Sequence, residues 1–222
     1  MPSKARIAFD ENLKDVLGLL KLHEEKGGTA PGRRYGLEVL NKSAVVLITS
    51  FWEAYCEDIA EEGLECIVTH IKTSDVLPKE IKKVIARELK ADANELAIWG
   101  ISDDKWRAVL RAHLTTLQEA RNRKLNTPKH KNIDDLFESA IGLPNVSSKW
   151  NLSPKTKADQ ARAKLDNFVE LRGEIAHRGR AQTSVKKATV VAYVDFINRV
   201  ADLTGGAVNS HVRKITGGPS LF

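Results

Sequence analysis

Apolar side chains in this chain recur at steps of three, four or their sums over stretches too long for a strand, which confines the chain to amphipathic helices packed on one another. Leu13, Val16, Leu17 and Leu20 form one such series, and Ala44, Ile48, Phe51, Tyr55, Ile59, Ile67 and Ile71 form a second. Two long early helices follow, over 4–26 and 36–73. Between them Gly27-Gly28-Thr29-Ala30-Pro31-Gly32-Arg33-Arg34 breaks any helix and leaves two arginines in or beside a connector. No convincing strand pattern or internal repeat is visible, so the expected class is all-α.

The remaining punctuation divides the chain into shorter helices. Leu77-Pro78-Lys79-Glu80 opens one that reaches about Lys90, with Ile81, Val84, Ile85 and Leu89 inward. Ser102-Asp103-Asp104 supplies cap-type residues ahead of Trp106, Val109, Leu110, Leu114 and Leu117, for a helix to about Asn122. Asn132-Ile133-Asp134-Asp135 opens a short helix that Gly142-Leu143-Pro144 ends. After a loop through Trp150, Ser153-Pro154 reads as a cap followed by a first-turn proline, starting a helix through Leu165, Phe168, Val169 and Leu171. A break around Gly179 and Gln182-Thr183-Ser184 precedes a last helix carrying Val190, Val191, Val194, Ile197 and Val200. Gly205-Gly206 and Gly217-Gly218-Pro219 then read as a loose tail over 205–222. The expected architecture is one domain over 1–222, a helical bundle with an inserted helical section at 74–152.

At 222 residues the chain can bury a substantial core. Its 35 Lys and Arg against 29 Asp and Glu give a net charge of +6, which favours a polyanionic partner. Cys56 and Cys66 share one apolar helix without CxxC spacing and read as reduced packing thiols of a cytosolic protein. Met1-Pro2-Ser3-Lys4-Ala5-Arg6 lacks the apolar core of an export signal. The run from Ala44 to Trp52 ends at Glu53, well short of the roughly 20 residues a bilayer requires, and reads as helix core rather than a membrane segment.

The chemistry-bearing stretch is Arg172-Gly173-Glu174-Ile175-Ala176-His177. It places a phosphate-gripping guanidinium five residues before an imidazole, the side chain best suited to proton transfer at neutral pH. On an ideal helix the two point about 140° apart. They can still cooperate if Gly173 loosens the helix, or if Arg172 reaches a cleft formed against another subunit. The alternative is structural: Arg172 pairs with Glu170, Glu174 or a neighbouring acid, and His177 caps a helix end. No metal set is expected, because His23, His70, His113, His130, His177 and His211 are dispersed and no HExxH or Cys/His cluster occurs. No phosphate-cradling glycine loop and no cofactor are expected either.

Leu171 to His177 resembles the Arg-x4–6-His signature of the HEPN superfamily of helical-bundle nucleases. Ser50-Phe51-Trp52-Glu53-Ala54-Tyr55-Cys56-Glu57-Asp58 resembles the first-half helix of its RiboL-PSP-HEPN branch, in the order that branch shows. The likeness covers the two early helices and the last two; the section at 74–152 gives no match. The resemblance implies metal-independent endoribonuclease cleavage in a homodimer, where arginine and histidine from both copies meet in one cleft, as in a toxin or defence effector with an antitoxin or regulatory protein as partner. By the same resemblance Arg172 and His177 are the catalytic pair. The signature often has Asn, Asp or His after the arginine to orient the histidine, whereas this chain has Gly173. Glu53 or Glu174 are the candidates to replace that orienting group. The departure keeps open a non-catalytic RNA- or nucleotide-binding module of the same fold.

The residues suit the implied reaction. RNA carries its own nucleophile in the 2′-OH, so the protein must move protons and offset charge on the phosphorane-like transition state. DNA lacks that hydroxyl. Arg178 and Arg180 are the expected backbone-tracking cations, with further clusters at Arg33, Arg34, Arg121, Arg123, Lys124, Lys129 and Lys131 that read equally as solvated faces. Of Trp52, Trp99, Trp106 and Trp150, the loop residue Trp150 is the expected base-stacking side chain, and Trp52 and Trp106 are expected in the core.

Overall fold

The structure is a computed structural model, and it describes residues 2–27, 36–113, 115, 127–178, 184–218 and 220–222. Its α-helices are α1 (Lys4–Gly27), α2 (Glu38–His70), α3 (Lys79–Ala91), α4 (106–113 of the described residues), α5 (His130–Ile141), α6 (Ala158–Arg178) and α7 (Lys187–Thr216). Short 3-10 turns lie at Ser74–Val76, Glu95–Ile101, Asp103–Lys105 and Val146–Lys149. No strand occurs among the described residues, so the all-α expectation holds.

α2 is the axle of the fold. Its buried side chains, from Asn41 and Ala44 through Trp52 and Tyr55 to Ile67 and Val68, occupy more than one stripe, because α1, α5, α6 and α7 all pack on it. The apolar run from Ala44 to Trp52 thus supplies core side chains, Ala44, Val45, Ile48 and Trp52 being buried, and among the described residues no helix is long and apolar enough to cross a membrane. α1 runs antiparallel to α2, with the Ala5 amide at Glu62 and the Phe9 ring centroid 5.2 Å from that of Tyr55. α7 runs parallel to α2: Asn41 Nδ2 donates to the Val185 carbonyl at 2.8 Å just before α7, and Tyr55 Oη donates to the Ala201 carbonyl at 2.9 Å further along. α6 runs antiparallel to α7, since Phe168 stacks on Tyr193 at 3.9 Å and Lys164 lies over the Phe196 ring at 4.6 Å. The result is an up-down bundle of α1, α2, α6 and α7.

Several expectations are corrected by packing. α6 starts at Ala158, not at Ser153-Pro154: Ser153 instead closes a turn in which Thr156 N donates to its carbonyl at 3.2 Å. The segment expected as a loose tail is mostly helix, since α7 continues to Thr216 through Gly205 and Gly206. Gly205 is buried where α7 meets α2, and a Cβ there would stand 2.6 Å from Tyr55 Oη, so glycine marks close approach rather than a helix end. The helix expected from 102 to Asn122 is described only in part, and its later residues lie outside the described ones.

The section at 74–152 also divides in two. α5 and the turn Val146–Lys149 belong to the main core, with Phe137, Ile141, Val146 and Trp150 fully buried. Asp166 of α6 caps α5, accepting from the His130 amide at 3.0 Å and meeting His130 Nδ1 at 2.8 Å. Gly142 ends α5 in the left-handed conformation (φ 68°), as expected from sequence. α3, α4 and the two 3-10 turns between them form an outer lobe at the C-terminal end of α2. Arg107 ties it down, donating to the Val68 and Ile71 carbonyls at 3.2 and 2.6 Å and so satisfying the end of α2.

Candidate functional site

α6 buries Ala161, Leu165, Phe168 and Val169 at helical spacing, and Arg172 and Ile175 continue that stripe one turn at a time. Arg172 is therefore partly buried, drawn between α6 and α2 by the same periodicity that packs the leucine and phenylalanine before it. On α2, Glu53 follows the buried Trp52 and is itself partly buried. The two come within electrostatic range of each other, and the Arg172 guanidinium favours the Glu53 carboxylate.

That favourable influence does not win. Burial is the largest influence on Glu53, the Glu57 carboxylate one turn along adds repulsion, and together they push the carboxyl up to about 7. Glu53 can thus hold or release a proton near neutrality beside an arginine. Glu57 is the participant that residue-by-residue reading overlooked, although its four-residue spacing from Glu53 places both on one helix face.

His177 lies in the last turn of α6 and is exposed. α6 runs unbroken as α-helix through Gly173, so of the two routes to cooperation the loosening at that glycine does not occur, and Arg172 and His177 keep different faces. A Cβ on Gly173 would meet nothing within 4 Å, leaving open space next to Arg172. Glu174 is partly buried on the same turn. Glu170, offered as a structural partner for Arg172, meets Lys129 at 2.7 Å. Arg178 ends α6, its side chain outside the described residues, and Arg180 lies wholly outside them, as do Arg33, Arg34, Arg121, Arg123 and Lys124. Lys131 is exposed.

Trp150 cannot stack on a base. It is fully buried, its Nε1 donates to Thr204 Oγ1 at 2.9 Å, and it packs edge-on against Trp52 at 6.0 Å. Its loop context hid this, because burial of a loop residue depends on helices distant in sequence. Trp52 and Trp106 are buried as expected, and Trp99 is the exposed indole at 69%. Both cysteines are free thiols, Cys56 buried and Cys66 partly so. Among the described residues no three His, Cys, Asp or Glu side chains gather as metal ligands.

The model of the family described as RiboL-PSP-HEPN matches residues 9–210, from early in α1 to late in α7 and across the section at 74–152. No curated protein and no solved structure matches. With a match over most of its length and an all-helical bundle to carry it, the chain belongs to the RiboL-PSP-HEPN family.

Proposed function

We propose that this protein is a metal-independent endoribonuclease, of the toxin or defence type, whose site is completed in a homodimer. Family membership supports the coarser reading of a nuclease or RNA-related module. The observation that carries the finer one is Arg172 held partly buried beside Glu53 while His177 stays exposed in the last turn of the same helix. In one copy the arginine and histidine point apart, and a second copy related by a two-fold axis supplies the groups each half lacks.

In the proposed reaction an imidazole takes the 2′-OH proton, O2′ attacks phosphorus, and the bond from phosphorus to O5′ breaks as O5′ is protonated. Arg172 grips two non-bridging oxygens and offsets the added charge. Glu53 positions the guanidinium from the α2 side. The products are a 2′,3′-cyclic phosphate and a 5′-hydroxyl. An antitoxin or regulatory protein would restrain such an activity, and Arg178 and Arg180 would track the strand.

The test is incubation of the purified protein with single-stranded RNA in EDTA, with end-group analysis, beside His177→Ala and a DNA strand of equal sequence. New cyclic phosphate ends that vanish in the variant support the proposal; unchanged RNA overturns it. Open space at Gly173, where the resembling signature often has a polar group, favours a second reading as a non-catalytic RNA-binding module. That reading expects salt-sensitive RNA binding with the RNA left intact.

A further inference from the structure

The outer lobe carries an apolar cleft of about 290 Å³ between α3, the turn Glu95–Ile101 and α4, with Leu77, Ile81, Ile85, Leu89, Trp106 and Leu110 in its walls. Beside it the turn displays large apolar side chains to solvent: Leu96 is 68% exposed, Trp99 69% and Ile98 48%. Local hydrogen bonds, not burial, hold this turn. Asn94 Oδ1 accepts from the Leu96 amide at 3.0 Å, and Ser102 N donates to the Trp99 carbonyl at 3.1 Å. A backbone fixed by its own caps while its apolar side chains stay wet is an arrangement suited to docking.

The charges choose the occupant. The charged side chains lining the cleft are Lys82 and Lys90, which with Ala86 form one i, i+4, i+8 edge of α3. Lys82 Nζ donates to the Asp75 carbonyl at 2.7 Å, and among the described residues neither lysine is placed in an ion pair with a carboxylate. The two lysine stems therefore stand two turns apart, roughly 12 Å at 1.5 Å per residue, along an apolar trough.

We infer that this cleft docks an amphipathic helix of a partner protein, apolar on one face and carrying two carboxylates about two turns apart along its edge. The helix lies along α3 with its apolar residues in the trough and against Trp99, and its acids meet Lys82 and Lys90. The cleft lies at the far end of α2 from His177, so the docking is independent of the reaction proposed above.

Trp99 supplies the readout, because Trp52, Trp106 and Trp150 are buried. The full chain is titrated with a helical peptide of about fourteen residues bearing Leu at i, i+4, i+7 and i+11 and two Glu eight positions apart, and with its Lys counterpart. The acidic peptide shifts Trp99 emission to the blue and binds at least tenfold more tightly than the basic one. The double charge reversal Lys82→Glu with Lys90→Glu inverts that order, with the helical circular dichroism signal unchanged as the control for folding. No binding of either peptide overturns the inference, as does binding that ignores the charge reversal, or Trp99 quenching by single-stranded RNA alone. RNA cleavage unaltered by the reversal separates a failure here from a failure of the ribonuclease proposal.

Discussion

Glu53 on α2 and Arg172 on α6, far apart in sequence, are neighbours in the folded chain, the guanidinium drawing down a carboxyl that burial and Glu57 push up to about 7. The proximity follows from the packing of α6 on α2, since Arg172 continues the buried stripe of α6 and Glu53 follows the buried Trp52 of α2. It gives the candidate site a proton that exchanges near neutral pH, which an exposed glutamate would not have.

Removal of the guanidinium exposes this coupling directly. In Arg172→Met the Glu53 carboxyl should titrate above its value in the parent protein, because a charge that favoured the ionised form is gone. Side-chain carboxyl carbon shifts followed by NMR against pH report it. An unchanged Glu53 midpoint would show that the two groups do not interact.

Stability should follow the same proton. A carboxyl raised from 4.5 to about 7 on folding contributes its full stabilisation below the lower value and loses it as pH rises through the upper one. Glu53→Gln should therefore match the parent at about pH 4 and exceed it at about pH 8.5, by roughly 1 kcal/mol once solvent screening is allowed for. Thermal melts at the two pH values check this; a difference of the same size at both would contradict the assignment.

Loss of either proposed catalytic group should cost RNA cleavage about 10²–10⁴-fold while leaving the fold intact, since His177 is exposed and Arg172 only partly buried. Arg172→Lys should fall between parent and Arg172→Ala, keeping the charge without the planar fork that fits two phosphate oxygens. Initial rates of cyclic phosphate formation distinguish the three.

Two glycines of α6 and α7 should respond oppositely to alanine. At Gly173 the added methyl meets open space in a helix, so Gly173→Ala should stabilise by about 0.5–1 kcal/mol. At Gly205 it would stand 2.6 Å from Tyr55 Oη, itself hydrogen-bonded to Ala201, so Gly205→Ala should destabilise by about 1–3 kcal/mol. Urea midpoints for the pair should move in opposite directions.

Trp150 should behave as core. Trp150→Ala leaves a cavity against Trp52 and deprives the buried Thr204 Oγ1 of its donor, at a cost of about 3–5 kcal/mol by denaturant unfolding. RNA should leave its fluorescence unquenched; quenching assigned to Trp150 would contradict its burial.

Helix type and number along α1, α2, α3, α5 and α7 were legible in the residues because helical hydrogen bonds are local and apolar spacing reports which side faces inward. The placement of Arg172 and His177 on different faces of one helix was legible for the same reason. What the chain's order could not show was depth. Trp150 sits in a loop by local rules, yet Trp52 of α2 and Thr204 of α7 close on it and it is fully buried. Gly205 reads as a helix stop, yet it is the point where α7 lies against Tyr55. Ser153-Pro154 has the local grammar of a helix start, yet the turn it closes keeps α6 from beginning before Ala158. The proton on Glu53 depends on desolvation by burial and on Glu57 at once, and desolvation is a property of what surrounds a group in space. Periodicity dictated that this chain becomes a helical bundle; only the packing of helices distant in sequence decided which polar groups lose water, and so which of them can do chemistry.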